Sequence, residues 1–177
     1  MNILITGIPA TGKSTIAKEL AHYGFKNYCD KDFVTKKNAK DIVEYKHKMK
    51  DVDLVKFSKT VNAKLKLLKN KNIILDGILF PYCLHNVNIT LDYVFILSLN
   101  EKELRKRYKQ RKYPEAKILD NLFVQENNLF YETILNEYQK SKKKTQPYIV
   151  EITLSGKLDK DLSKIVDLIY ATYLGKF

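Results

Sequence analysis

Asn2-Ile3-Leu4-Ile5-Thr6-Gly7-Ile8-Pro9-Ala10-Thr11-Gly12-Lys13-Ser14-Thr15 is the stretch from which the fold can be read. Asn2–Thr6 is a short apolar run with β-branched residues, the pattern of a strand buried on both faces. Gly7 to Thr15 then matches G-x-x-x-x-G-K-[ST]. From Thr15 to Tyr23 the apolar residues Ile16, Leu20 and Ala21 recur at helical spacing, and Gly24 supplies a stop. Strand, glycine loop and helix in that order form a phosphate-binding P-loop. Gly7 and Gly12 permit backbone conformations that turn successive N–H groups inward around phosphate oxygens. The helix start adds unpaired amides and a positive dipole end. Lys13 can reach the β- and γ-phosphates of a nucleotide, and the Ser14 hydroxyl can hold Mg²⁺. Thr11 lies inside the loop and counts with its nucleotide-binding residues.

Working outward, strands alternate with helices. Phe25–Cys29 reads as a weak second strand, and Lys31 to about Lys50 as a lysine-rich helical insertion without a steady period. Asp53–Leu68 carries Leu54, Val55, Phe57, Val61, Leu65 and Leu68 on one broad helical face. Asn72–Asp76 and Leu91–Leu99 are the third and fourth strands. Asn100 with Glu103 resembles a capping box that opens a helix to about Lys112, where Pro114 breaks the pattern. Glu115–Lys140 reads as one long helix, Tyr148–Leu154 as the fifth strand and Asp159–Leu174 as the closing helix. The expected fold is α/β: one P-loop domain over residues 1–177, three-layered α/β/α with a five-stranded parallel sheet. Residues 30–70 would form an insertion, which the family resemblance given below places at a nucleoside monophosphate (NMP) site, and residues 110–120 a short lid.

Asp76 ends the apolar run Asn72-Ile73-Ile74-Leu75 and precedes Gly77. At the carboxyl edge of the sheet it would face the P-loop as the acidic partner for Mg²⁺; a turn or capping aspartate would read the same way. Among 32 basic residues only Arg105, Arg107 and Arg111 are arginines. Arg107 and Arg111, four apart, share a helix face beside the Lys112-Tyr113-Pro114 break. That suits catalytic arginines of a lid closing on transferring phosphates. Arg105 points elsewhere and is expected at the surface.

The net charge of +12 is uneven, with 13 lysines against five acids in residues 31–71. Such a balance favours polyanionic partners, nucleotides or RNA, and solvated lysines account for it equally well. The run Lys140-Ser141-Lys142-Lys143-Lys144 is either a solvated helix end or an RNA-facing patch. At 45% hydrophobic residues the chain is an ordinary globular one. Its longest apolar run, Tyr93–Leu97, is far below the ~18 residues of a membrane span, so no membrane association is expected. Met1-Asn2-Ile3-Leu4-Ile5 has no basic lead-in and no cleavage site, so a secretory signal is not expected. Cys29 and Cys83 form no CxxC and fit a reducing compartment; a cytoplasmic location is expected. His22, His47 and His85 are not spaced as metal ligands.

Together, Gly7–Thr15, Leu75-Asp76-Gly77 and Arg107-x-x-x-Arg111-x-Tyr113-x-x-x-Lys117-x-x-x-Asn121 resemble the adenylate kinase isoenzyme 6 family over nearly the whole chain. The resemblance implies a Mg²⁺-dependent NMP kinase, ATP + AMP/NMP → ADP + NDP, with ATPase activity. It also implies a part in maturing the small ribosomal subunit beside a ribosomal protein, with rRNA nearby. It assigns phosphate contacts to Ala10, Gly12, Lys13, Ser14 and Thr15, and ATP contact to Arg111. A nucleotide-gated assembly factor with weak kinase activity is the alternative it carries. The Ser155-Gly156-Lys157 loop falls where nucleoside kinases cradle adenine. The chain departs from the family at four positions. Ala10 stands for a glycine, a methyl that is tolerated unless φ is positive. Ile78 stands for a histidine. Thr35, with Lys36 and Lys37 beside it, stands for the acceptor-site arginine. Ser98 stands for an arginine at the end of the fourth strand.

Overall fold

The computed structural model describes residues 1–44, 47–68, 72–141 and 145–174. Five strands, β1 (Asn2–Thr6), β2 (Lys26–Cys29), β5 (Ile73–Asp76), β6 (Tyr93–Leu99) and β7 (Tyr148–Leu154), form a parallel sheet in the order β2-β5-β1-β6-β7. β1 is central, and Ile3, Leu4 and Ile5 are completely buried between β5 and β6. Helix α1 (Lys13–Ala21) packs with α6 (Leu158–Leu174), while α2 (Leu54–Leu67) and α5 (Leu129–Lys140) both pack on the 3₁₀ segment Phe80–Asn86. The three layers expected of buried parallel strands are present.

Helix starts follow local chemistry. The Asp53 side chain accepts from Lys56 N–H at 3.0 Å and caps α2. Asn100 accepts from Glu103 N–H at 2.9 Å and caps α3 (Glu101–Gln110). Phe33, Phe57 and Phe80, all fully buried, pack edge-on or tilted with centroids 5.5–6.2 Å apart. They tie the segment after β2 to α2 and to the 3₁₀ segment after β5.

Two expected elements are different. The insertion between Lys31 and Lys50 is not helical: β3 (Ala39–Glu44) and β4 (His47–Val52) pair as an antiparallel hairpin. Lys40 lies opposite Asp51, and Asp41 opposite Lys50, with an Asp41–Lys50 ion pair at 2.5 Å. Opposite charges directly across a ladder favour a hairpin by about 0.2–1 kcal/mol each. That pairing, rather than helical period, is what the lysine-rich segment encodes. The hairpin base is closed by Asn38, which is 2% exposed. Its Nδ2 donates to Phe33 O at 2.8 Å, and its Oδ1 accepts from Thr35 N–H at 2.7 Å.

The long helix Glu115–Lys140 is two, α4 (Glu115–Glu126) and α5, separated at Asn127-Asn128. Asn128 has φ 51°, a left-handed conformation that asparagine adopts readily. Asn127 Nδ2 turns back to Phe123 O at 2.9 Å. The break re-aims the apolar face, so that Ile118 and Leu122 of α4 and Phe130 and Ile134 of α5 are all buried. Replacing Asn128 with Gly should leave stability nearly unchanged. Asn128→Val should lower it by about 1–2 kcal/mol, the cost of a β-branched residue in this conformation. Urea denaturation of the two variants checks this.

Candidate active site

The P-loop reverses the chain at the carboxyl end of β1. Gly7 has φ 134°, and a Cβ there would lie 2.1 Å from Leu97 O, so only glycine permits the strand to turn against β6. Gly12, φ 110°, precedes α1. Lys13 is 8% exposed, and its Nζ donates to Gly7 O and Ile8 O, both at 2.8 Å. Burial pulls its pKa down to about 8, against the opposing pull of Asp76 and Asp30. Thr11 Oγ1 donates to Ile8 O at 3.1 Å and stiffens the loop from within. Ser14 and Thr15 are exposed on the first turn of α1. Ala10 has φ 69°, so its methyl does sit in a left-handed backbone. Ala10→Gly should therefore stabilise the fold by about 1 kcal/mol, read from thermal melts.

Opposite the loop, Asp76 ends β5 and is 2% exposed. Burial raises its pKa, while the Ser14 hydroxyl and Lys13 pull it back. Neither carboxylate oxygen has a hydrogen-bond partner of ordinary geometry. Asp30, just beyond β2, was not singled out from sequence. Its Oδ2 accepts from Ile78 N–H at 2.7 Å and Leu79 N–H at 3.2 Å, while Oδ1 is buried without a partner. Burial pushes its pKa up to about 6, and Asp76 adds to the rise. Gly77 makes the approach possible, since a Cβ there would lie 2.1 Å from the Asp30 carboxylate. β2 and β5 are parallel neighbours with Cys29 beside Asp76, so residues just past their ends converge. A buried and a half-buried carboxylate with orphaned oxygens, next to a hydroxyl, form the hard oxygen donor set that suits Mg²⁺. Among the described residues no group of three His, Cys, Asp or Glu side chains is arranged to hold a metal.

The sign of the Asp30 effect follows from its folded pKa of about 6 against 3.8 unfolded. The folded state binds the extra proton, so stability declines as pH rises through that window. At pH 7.5 the charged carboxylate should weaken the fold by about 2 kcal/mol. Asp30→Asn, which keeps an acceptor for both amides, should be more stable than the wild type at pH 7.5 and equal to it near pH 4. Mg²⁺ should stabilise the wild type more than the variant. Denaturant titrations at the two pH values, with and without Mg²⁺, check this, and a less stable variant at pH 7.5 would contradict it.

Helix α3 leans on the far side of the loop. Tyr108, fully buried, donates its hydroxyl to Pro9 O at 2.9 Å and stacks on Tyr113 at 5.3 Å. Lys117 Nζ lies 4.5 Å over the Tyr113 ring. Arg107 is half-buried: Nε donates to Glu103 Oε1 at 3.2 Å, and Nη1 to Ala10 O at 3.0 Å and Thr11 O at 3.4 Å. Its guanidinium sits between Gly12 and Gly156. Arg111 is exposed and near enough to Lys13 to depress its pKa. Arg105 pairs with Glu101 at 2.6 Å and Glu115 at 2.8 Å. So Lys13, Ser14, Asp76 and Arg111 come together, with Arg107 on the loop's carbonyls and Arg105 apart.

The remaining residues are placed as follows. Thr35, Lys36 and Lys37 are exposed. Ser98 Oγ donates to Thr153 Oγ1 at 3.0 Å. His22 is exposed, and His85 bonds to the buried Glu137. Cys29 and Cys83 are free thiols. The His47 side chain and Lys142-Lys143-Lys144 lie outside the described residues. No described helix is long and apolar enough to cross a membrane.

Such a loop, acidic pair and arginine-bearing helix on a five-stranded parallel sheet define a P-loop kinase. The chain belongs to the AAA domain family, whose model matches residues 3–129. Within it the chain is adenylate-kinase-like, of the P-loop nucleotide kinase type. It is 29% identical over 171 residues to a candidate adenylate kinase of Pyrococcus furiosus, covering 96% of this chain and 84% of that one. An adenylate kinase isoenzyme 6 homologue of Plasmodium falciparum is 26% identical over 152 residues, 77% of this chain and 80% of that one. The fold is shared with shikimate kinase of Aquifex aeolicus, at 14% identity and TM-score 0.52 over 99% of both chains. Gluconokinase of Sinorhizobium meliloti shares it at 11% identity and TM-score 0.52, over 97% and 96% of the two chains. Membership in this kinase class implies use of ATP and, typically, Mg²⁺.

Proposed function

We propose that the protein transfers the γ-phosphoryl group of ATP to a nucleoside monophosphate. The observation that carries this reading is the convergence of Lys13, Ser14, Asp76 and Arg111 on one mouth of the P-loop, supported by the adenylate-kinase-like relatives. A phosphate oxygen of the acceptor attacks the γ-phosphorus as the bond to the β,γ-bridging oxygen breaks, and ADP leaves. The acceptor oxygen is already anionic, so no side-chain base is needed, and the rate comes from positioning and charge neutralisation. Lys13 leaves its carbonyl ligands and follows the transferring group. The N–H groups of Lys13 and Ser14 at the start of α1 hold the phosphates, while those of Thr15 and Ile16 already donate to Gly12 O at 3.0 and 3.1 Å. Ser14 and Asp76 would hold Mg²⁺, with Asp30 beside them; bound there, the ion would supply positive charge against the phosphates. Arg111 supplies the charge that meets the transition state, while Arg107 fixes the loop and borders the nucleotide cleft.

A second reading has its own observation. The exposed Thr35 offers no fork to clamp an acceptor phosphate, and Lys36 and Lys37 offer only point charges. With water as acceptor the same machinery is a slow ATPase. Such an ATPase would suit an assembly factor that grips a small-subunit ribosomal protein or rRNA through the lysine-rich segment 31–71.

A coupled assay of ATP turnover across a panel of nucleoside monophosphates separates the two. Stimulation by one of them supports the kinase, and turnover indifferent to all of them supports the ATPase. Lys13→Ala should abolish most turnover in either case. Arg111→Ala should reduce kcat on the order of 10²–10³, as for loss of one contact to developing charge, and Arg111→Lys should recover little. Arg105→Ala should change kcat less than about two-fold, since a half-buried arginine paired with Glu101 and Glu115, away from the loop, has no charge to meet. Equal losses at Arg105 and Arg111 would reduce the lid to a general basic surface.

A further inference from the structure

The five-stranded sheet ends on β7, which pairs with β6 alone among the described residues. Tyr148 N–H donates to Asp92 O at 2.9 Å, on the β6 side. Along a strand, successive residues alternate in the edge to which their N–H and C=O point, so Ile149, Glu151 and Thr153 turn theirs outward. Exposed edges are commonly blunted by shortness, lysine, proline or a bulge. The opposite edge, β2, follows that rule with four residues and an exposed Lys26. β7 does not. It runs for seven residues in unbroken register with β6, has no proline, and holds none of the chain's 32 basic residues. Both of its faces border open space. Glu151 and Thr153 line a cavity of about 300 Å³ whose only charged side chains are those of Glu126 and Glu151. Both glutamates are exposed, and neither is ion-paired among the described residues. On the other face, Thr153 and Leu154 line a groove of about 880 Å³ against α6, with Leu168 and Ala171 as its apolar part. The two lysines and two aspartates of that groove balance one another.

We propose that β7 is a docking edge for an extended segment of another protein, one in which basic residues alternate with apolar ones. The segment adds a strand to the sheet, and the outward main-chain groups of Ile149, Glu151 and Thr153 supply the hydrogen bonds. Its successive side chains point to opposite faces. On one face a lysine or arginine meets Glu151 and Glu126, and on the other an apolar side chain covers Leu154 and Leu168. A second copy of this chain does not fit as well. Glu151 is the middle residue of β7, so antiparallel pairing of two copies over their full length would set Glu151 against itself. Like charges directly opposite destabilise a ladder. The chain as a whole carries +12 and repels a basic segment at long range, so the attraction is local to the two glutamates.

The probe is a capped synthetic peptide as long as β7 in which lysine alternates with valine, titrated calorimetrically into the full chain. One control peptide has glutamate in place of lysine, and another has the same residues grouped instead of alternating. The alternating basic peptide should bind about ten-fold more tightly than either control, against the order that net charge alone would set. N-methylation of one alternate set of its amides should abolish binding, and N-methylation of the other set should not. Glu151→Lys should turn the preference toward the acidic peptide. Ile149→Pro removes an outward N–H and no bond to β6, so the fold should survive while binding weakens about five-fold or more. If that variant fails to fold, hydrogen exchange on the wild type decides: the basic peptide should slow the amides of Ile149, Glu151 and Thr153. Absence of binding, equal binding of the basic and acidic peptides, or an unaltered preference in Glu151→Lys overturns the proposal. Amides at these three positions that are already slow without peptide, in a chain that sediments as a dimer, would assign the edge to a second copy and overturn it as well.

Discussion

The ammonium of Lys13, buried and resting on the carbonyls of Gly7 and Ile8, is the contact around which the active end of the molecule is arranged. A cation this deep is tolerated only because fixed carbonyl dipoles and two nearby carboxylates surround it. It holds the loop closed before any phosphate arrives. The loop in turn gives Tyr108 and Arg107 the carbonyls of Pro9, Ala10 and Thr11 to grip. One charge thereby fixes β1, the start of α1 and the approach of α3.

Around that cation the electrostatics are unbalanced in a useful way. Asp30 and Asp76 are both pushed upward by burial, and the Asp76 charge adds to the rise at Asp30. Groups held out of balance beside a phosphate-binding loop mark a site built for a ligand rather than for stability. In the proposed reading the phosphates would meet the charge of Lys13, and a divalent cation that of the two carboxylates. The tyrosine pair Tyr108 and Tyr113, with Lys117 over it, gives the segment after α3 a packed base against the loop.

The departures from the resembled family have physical consequences. Ala10 keeps its methyl at φ 69°, a strain the loop carries without a glycine. Ser98 bonds to Thr153 across β6 and β7 and so is absorbed into the sheet. Thr35 is the consequential one. Its backbone is held by Asn38 at the base of a hairpin, and its short side chain cannot clamp a phosphate.

What the sequence determined by itself is what is local in the chain. The strand-loop-helix unit at Asn2–Ala21, the capped starts of α2 and α3 and the strand Tyr148–Leu154 are written in contiguous residues, because apolar period and capping act over a few positions. The same holds for Lys13, Ser14 and Arg111, whose spacing follows from one loop and one helix. Other features depend on contacts between distant residues. The hairpin Ala39–Val52 rests on cross-strand charge pairing, which leaves no period to read. The break at Asn128 was missed because a left-handed asparagine is decided by where Phe130 must be buried. Asp30 follows a weak strand and gains its meaning only from β5 beside it and from the absent side chain of Gly77. Asp161 reads as an ordinary acidic residue near a helix start, and only the folded loop after β7 shows that it takes up the amides of Ser155 and Gly156. Tertiary structure decides such roles because parallel strands bring together residues that no single segment of chain can place.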